Sequence, residues 1–161
     1  NNPVLFLEHK GLYRQRYAAS LEPNSNYLMP FGKARLVQEG EDITVVTWGA
    51  MVQKTKNACS DLDVSVEIID IRTLFPLDLN FILESIKKTN RVVVVHEDNI
   101  TNGFGAEIVS LVNEHSFEML DAPVIRVASK DSPIPYANVL EDQVLVQVSW
   151  IKDAIQKTIN Y

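Results

Sequence analysis

The chain contains very little cysteine: Cys59 is the only one among its 161 residues. No disulfide can form within the chain, which fits a reducing compartment. No apolar run approaches the roughly 18 residues that a membrane-spanning helix needs, and no signal peptide is recognisable. We therefore expect a protein of the cytoplasm, or of the mitochondrial matrix if the source is a eukaryote, with no membrane partner.

The chain also lacks basic runs. It has 15 Lys and Arg against 21 Asp and Glu, which gives a net charge of −6. Nucleic-acid binding requires clustered cations that neutralise phosphates, so nucleic acid is excluded as the main partner. A basic protein surface would suit this charge better.

The familiar catalytic and cofactor motifs are missing as well. The three histidines, His9, His96 and His115, have no metal-ligand spacing, and the sequence contains neither a phosphate-binding P-loop nor a nucleophile elbow. From these residues alone we predict no metal site. Cys59 falls on the apolar side of a predicted helix, where a free cysteine acts as a small core hydrophobe.

One glycine pair resembles the start of a dinucleotide fingerprint, at Gly103 and Gly105. The third glycine of that fingerprint would fall at Ile108, and Glu107 would repel a phosphate. A dinucleotide site is therefore not expected. The glycines instead predict a tight turn or the close approach of another backbone.

What the chain does contain is a strand–loop–helix unit over residues 90–107, around which the other elements can be arranged. Residues 92–95 are four consecutive valines, typical of a strand buried on both faces of a parallel sheet. His96 and Glu97 follow at the predicted carboxyl end, where open α/β sheets place their sites. The helix after the glycine loop carries His115, which we expect to be half-buried.

His96 beside Glu97 is the one candidate acid–base pair, because imidazole titrates near neutrality. The alternative is a hydrogen-bonded histidine at a subunit interface. No nucleophile is recognisable nearby, so the interface role is favoured. We expect both residues near the carboxyl edge of the sheet, at or close to a subunit contact.

Strands and helices alternate along the rest of the chain. Strands are predicted at residues 43–48, 64–71, 92–95 and 124–128, with a short edge strand within 33–38, and helices at residues 49–62, from 78, at 106–117 and from 148. Residues 131–136 contain two prolines and cannot be regular structure. This order predicts an α/β fold: a three-layer, doubly wound, mostly parallel sheet of about five strands with helices on both faces.

The first 31 residues do not fit that alternation. Residues 4–7 look like a buried strand without a partner, and the turn-rich segment after them looks like a surface linker held by Tyr13, Tyr17, Tyr27 and Leu28. Ordered loops of this length are uncommon inside one domain. We therefore expect a fragment of a longer polypeptide that begins at the end of a preceding domain.

Several blocks together resemble the C-terminal part of the β subunit of thiamine-diphosphate-dependent 2-oxo acid dehydrogenases, of the pyruvate and branched-chain type. They are residues 3–14 (PVLFLEHKGLYR), 30–34 (PFGKA), 45–52 (VVTWGAMV), 69–78 (IDIRTLFPLD), 85–91 (SIKKTNR), 103–108 (GFGAEI), 120–124 (LDAPV), 131–137 (DSPIPYA) and 140–142 (LED). Each block is weak alone, but they keep the order and spacing of the family. One departure is Val146, where such subunits often carry a proline.

The resemblance implies a division of the chain and a role. Residues 1–12 would end a pyrimidine-binding domain, residues 13–31 would be a linker, and residues 32–161 would form a transketolase C-terminal-like domain. That domain would serve assembly of a homo-oligomer or an α/β complex and docking of the lipoyl-bearing acyltransferase. The parent reaction would be decarboxylation of a 2-oxo acid followed by reductive acylation of the lipoyl group.

The family's cofactor residues lie outside this sequence. Neither the metal-diphosphate motif nor the activating glutamate is present, so thiamine diphosphate and Mg²⁺ are expected in the parent enzyme and not on this chain, which should be inactive alone. No catalytic, cofactor-binding or metal residue is assigned. The interface candidates are His96, Glu97, Gly103, Phe104, Gly105, Pro133, Pro135, Tyr136 and Tyr161.

Two alternatives stay open. The same C-terminal fold would serve another thiamine enzyme, such as a transketolase or a deoxyxylulose-phosphate synthase, although the block at residues 131–137 speaks against these. A free-standing flavodoxin-like binding module is the second alternative, and the unpartnered first strand speaks against it.

Overall fold

The computed structural model of the protein describes residues 2–5 and 7–161. A five-stranded sheet in the order β1-β3-β2-β4-β5 forms its centre. The strands are β1 (Arg35–Gln38), β2 (Ile43–Thr47), β3 (Val66–Asp70), β4 (Val92–Asn99) and β5 (Ile125–Ser129). Strands β3, β2, β4 and β5 are parallel, while β1 pairs antiparallel with β3 at one edge. The predicted α/β class and mostly parallel sheet are confirmed.

Helices cover both faces of the sheet. They are α1 (Met51–Cys59), α2 (Leu79–Thr89), α3 (Gly105–Ser116), α4 (Asn138–Val144) and α5 (Val148–Ile159). One core forms where α1 and α5 pack on the sheet, and a second forms under α2 and α3. The three-layer arrangement is therefore as predicted. The short helix α4 was not predicted, because it directly follows a proline-containing loop that was expected to be irregular.

The β-branched strands supply most of both cores. All five residues of β2 are buried, and its side chains alternate between the faces, so Val45 packs under α1 and α5 and Val46 under α2. Cys59 is buried in the first of these cores, as expected. Val146, the departure from the family pattern, is fully buried just before α5.

A hydroxyl cluster lies between the sheet and α2, and we use this name for Thr44, Ser85 and Thr89. Oγ1 of Thr44 is 2.6 Å from Oγ of Ser85 and 2.7 Å from Oγ1 of Thr89. Ser85 donates to the carboxylate of Glu67, which is also bound by Lys88. The buried carboxylate is thus satisfied by a hydroxyl and an ammonium group.

The predicted strand at residues 4–7 is wrong for the residues that the structure describes. Val4, Leu5 and Leu7 lie outside any strand and are 82%, 89% and 91% exposed; residue 6 lies outside the described part. The linker contains two short 3₁₀ helices, Lys10–Arg14 and Arg16–Ala18. Its predicted anchors are all more than half exposed, so none of them is buried against the rest of this chain.

His115 was expected to be half-buried and is exposed on α3. It stands on the outer side of the helix, because the buried positions of α3 are Gly105, Ile108, Val112 and Ser116. Among residues 2–5 and 7–161, no helix has the length and apolar character to cross a membrane.

Candidate functional site at the carboxyl edge of the sheet

The chain changes direction across the sheet between β2 and β4. From β2 it proceeds through α1 to β3 on one side, and from β4 through α3 to β5 on the other. Loops that leave such neighbouring strands in opposite directions open a crevice at their carboxyl ends, where α/β proteins bind ligands. Trp48, which follows β2, and His96 in β4 meet at this point.

His96 lies within β4, which continues to Asn99, and its side chain is fully buried. The imidazole stacks on Trp48, with ring centroids 5.4 Å apart and ring planes 1° from parallel. Phe104 meets the same indole edge-on at 6.2 Å. The histidine is therefore one layer of an aromatic stack, which buries the ring more deeply than a position at a strand end suggested.

Gly103 and Gly105 also lie close against the imidazole of His96. A Cβ on Gly103 would lie 2.6 Å from Cε1 of His96 and 2.3 Å from the Asn99 carbonyl oxygen, and one on Gly105 would lie 2.3 Å from Cδ2. Such distances are far below van der Waals contact, so a side chain at either position would displace the imidazole. The predicted close approach of another backbone is found at Gly103, beside the Asn99 carbonyl, whereas at Gly105 the close neighbour is the His96 side chain.

The environment of His96 favours the neutral ring. Burial lowers its pKa below the ordinary value, the Arg126 charge lowers it further, and Asp98 acts in the opposite direction. Neither ring nitrogen has a hydrogen-bond partner among the described residues. None of the described residues supplies the predicted hydrogen bond to His96, so a hydrogen bond at a subunit interface stays a prediction. A fully buried ring is also poorly placed for proton transfer with a substrate.

Glu97 points to a different environment, as alternation along a strand requires. Its carboxylate is 3.2 Å from Nε2 of His9, and both side chains are about two-fifths exposed, at 42% and 40%. The two residues border a depression of about 340 Å³, whose other lining residues are Leu7, Trp48, Gly49, Ala50, Arg72, Leu74 and Asp98. Sequence analysis missed Trp48, His9 and Arg72; the position of Trp48 directly after β2 was the available signal.

A wider apolar groove of about 810 Å³ lies beside this crevice. It runs between the loop after β3 and the start of α3, and Gly103 and Phe104 are part of its wall. The other lining residues are Leu74, Phe75, Pro76, Leu77, Leu79, Asn102, Ala106, Glu107 and Leu111. Phe75 is 92% exposed at its rim, an unusual position for so large an apolar side chain.

The remaining candidates are not part of this cluster. Pro133, Pro135 and Tyr136 lie in the loop after β5, and the Tyr136 side chain is fully exposed. Tyr161 is exposed after α5, which runs antiparallel to β5, since Trp150 in its first turn lies beside Lys130. The C-terminus therefore lies toward the opposite edge of the sheet from His96.

The residues at this edge do not fit thiamine diphosphate with its metal. Mg²⁺ requires oxygen ligands that converge with the phosphates, and the described residues contain no group of three or more His, Cys, Asp or Glu side chains that could hold a metal ion. The carboxylates that are present, Glu97 and Asp98, would repel a diphosphate.

Comparison with known proteins identifies a domain family and relatives of this chain. The model of the transketolase C-terminal domain matches residues 32–151. The mitochondrial 2-oxoisovalerate dehydrogenase subunit beta 2 of Arabidopsis thaliana is 42% identical and aligns with 99% of this chain and 44% of its own length. The mitochondrial pyruvate dehydrogenase E1 component subunit beta of Dictyostelium discoideum is 40% identical over 98% of this chain and 45% of its own length. This chain thus spans about half the length of the curated relatives it matches.

Among solved structures, a split-gene transketolase described as an inactive beta4 tetramer superimposes with a TM-score of 0.73. It is 23% identical and covers 85% of this chain and 45% of that chain. At this identity the likeness concerns the fold.

Proposed function

The chain belongs to the transketolase C-terminal domain family, and from this premise we propose that it is the C-terminal assembly and docking domain of a 2-oxo acid dehydrogenase β subunit. The parent enzyme would decarboxylate a 2-oxo acid and reductively acylate a lipoyl group. Thiamine diphosphate and Mg²⁺ would be bound by other parts of that enzyme. The compartment would be the cytoplasm, or the mitochondrial matrix in a eukaryote.

The extent of the alignment with the relatives carries this proposal. The family model covers residues 32–151, but the 2-oxo acid dehydrogenase β subunits align with 98% and 99% of the chain. They therefore also match most of the segment before residue 32, which the shared domain does not include. A flavodoxin-like module would not have this relationship.

The surface of the domain supports an assembly role. The wide groove and the loops after β3 and β5 expose Phe75, Ile134 and Tyr136 at the carboxyl edge. Exposed apolar side chains at neighbouring loops mark contact surfaces. We propose that this edge is covered by another subunit in a homo-oligomer or an α/β assembly. The buried His96 would pack beneath the contact surface. The residues at or near the contact would be Glu97, Gly103, Phe104, Gly105, Pro133, Pro135 and Tyr136.

The preceding residues fit a division into parts. We propose that residues 1–12 end a pyrimidine-binding domain and that residues 13–31 are a linker to residues 32–161. Val4, Leu5 and Leu7 are exposed in this chain. This supports the division, because these apolar side chains would pack against the rest of the pyrimidine-binding domain in the whole protein.

The test compares the whole protein that contains this sequence with the isolated chain. The whole protein that contains this sequence should decarboxylate pyruvate or 3-methyl-2-oxobutanoate with an artificial electron acceptor, and deletion of residues 32–161 should abolish both assembly and turnover. The chain alone should neither bind thiamine diphosphate in calorimetry nor turn over. Ketol transfer from a sugar phosphate by the whole protein would favour the transketolase alternative instead.

A further inference from the structure

A second concave surface lies on the face of the sheet that α5 covers. It is a groove of about 440 Å³ between the outer strand β5 and α5, within the range of roughly 300–1,000 Å³ typical of small-molecule sites. We call it the β5 groove. Its lining residues are Ile100, Ile125, Arg126, Val127, Ala128, Ser129, Lys130, Trp150, Asp153, Ala154 and Lys157.

The floor of the β5 groove is apolar. Val127 and Ala154 are buried, and Ile125 and Trp150 are partly buried beside them. The groove lies where α5 packs on β5, so both its walls and its floor are formed largely by these two secondary-structure elements. An apolar floor of this kind favours a ligand with an aliphatic or aromatic body.

The rim carries an excess of positive charge. Arg126, Lys130 and Lys157 border the groove, and Asp153 is its one carboxylate. Within residues 2–5 and 7–161 none of the three cations has a carboxylate oxygen within 4.0 Å. Arg126 donates to the Ile100 carbonyl and its charge helps to lower the pKa of Asp131, while Nζ of Lys130 lies 5.2 Å from the centroid of the Trp150 ring. This local excess is notable in a chain whose net charge is −6.

We propose that the β5 groove binds a small amphipathic carboxylate, an aliphatic acid whose chain lies over Trp150 and Ala154 and whose carboxylate meets the rim cations. Both parts of the ligand follow from the groove: the floor selects the apolar body, and the excess of cations over carboxylates at the rim selects the anionic end. The site goes beyond the proposed function and does not depend on it.

Trp150 provides the readout, since the chain contains only two tryptophans and the other, Trp48, lies in the crevice. Octanoate is the probe. It should change the tryptophan fluorescence saturably in the wild-type chain and leave that of the Trp150→Phe variant unchanged, while calorimetry reports binding directly. Going from butyrate to hexanoate to octanoate, each added methylene should tighten binding by about fourfold.

Charge selectivity is tested by ligand and by variant. Octylamine should bind about tenfold more weakly than octanoate. Lys130→Gln and Lys157→Gln should each weaken octanoate binding by about two- to fivefold, the range expected for exposed ion pairs. Lys152→Gln is the matched control on the same helix, because Lys152 pairs with Asp61 and does not line the groove; its affinity should equal that of the wild type.

Three results would overturn the proposal: no saturable binding of octanoate, equal binding of octylamine, or equal weakening by the control variant. A fourth would replace the ligand with a second copy of the chain. In that case the wild-type chain would elute as a dimer in size-exclusion chromatography, and the two groove variants would elute as monomers.

Discussion

Gly105 lies directly against the imidazole of His96. A Cβ on Gly105 would stand 2.3 Å from Cδ2 and 2.4 Å from Nε2 of that ring, and Trp48 stacks on the same ring. The first residue of α3 and the buried histidine of β4 are thus fitted to each other.

Gly105→Ala should therefore destabilise the fold. We expect a loss of about 1–3 kcal/mol in the free energy of unfolding, the usual effect of overpacking, measured by urea denaturation. In a His96→Ala background the same change should cost much less, because the clashing ring is gone. Equal costs in the two backgrounds would mean that the pair is not coupled.

The buried His96 should make stability depend on pH. Its folded-state pKa lies below the ordinary 6.5 because burial disfavours the charged ring, so between those two values the unfolded chain binds a proton that the folded chain does not. Stability should be unaffected by this group above about pH 6.5 and should fall as the pH drops below it, by at most about 1.4 kcal/mol per pH unit.

Urea midpoints across this pH range would measure that slope. His96→Gln should flatten it, whereas the exposed His115→Gln should leave it unchanged. Asp98 and Arg126 are the charged groups that influence the ring, and their variants should shift the midpoint of the transition. An unchanged slope in His96→Gln would assign the pH dependence to other groups.

Two threonines of β2 offer a matched pair. Both are fully buried, but Thr44 belongs to the hydroxyl cluster, whereas Oγ1 of Thr47 has no hydrogen-bond partner among the described residues. Thr44→Val should cost about 1–3 kcal/mol, because its partners lose a buried hydrogen bond. Thr47→Val should be neutral or stabilising in the same denaturation experiment, because it removes an unsatisfied hydroxyl. The reverse order would contradict the roles of the two hydroxyls.

Cys59 should be unreactive in the folded chain. Burial raises the pKa of its thiol to about 11, and the thiolate is the reactive form. At about pH 8 the thiolate fraction should be roughly a hundredfold below that of an exposed cysteine. Disulfide exchange with Ellman's reagent should thus be slow in the native chain and fast in urea; rapid native labelling would show that the core under α1 opens readily.

Docking to the lipoyl-bearing acyltransferase should depend on salt. The net charge of −6 and the exposed C-terminal Tyr161 suit a basic binding domain, and exposed charges are screened within about 8 Å at physiological ionic strength. Titration of the whole protein with that basic domain at low and high salt would measure the effect. Salt-insensitive binding, or no binding, would contradict an electrostatic contact.

The sequence by itself determined the class of fold and most of its elements. The valine run of β4, the β-branched residues of β2 and the apolar stripe of α2 are local patterns, and their periods of two and 3.6 residues record which positions meet a core. Glycine at positions 103 and 105 likewise signalled a close approach. Local patterns of this kind can be read before any contact is known.

Only the tertiary structure decided what those positions meet. His96 packs against both Trp48 and Gly105, and its contact with Trp48 depends on β2 and β4 being neighbours. The antiparallel direction of β1 depends on its pairing with β3. The apolar residues Val4 and Leu5 form no strand because a strand requires a hydrogen-bonding partner. The rim cations of the β5 groove come from β5, its following turn and α5. Which strands pair and which side chains meet depends on segments that are far apart in the sequence, so no local periodicity encodes these contacts.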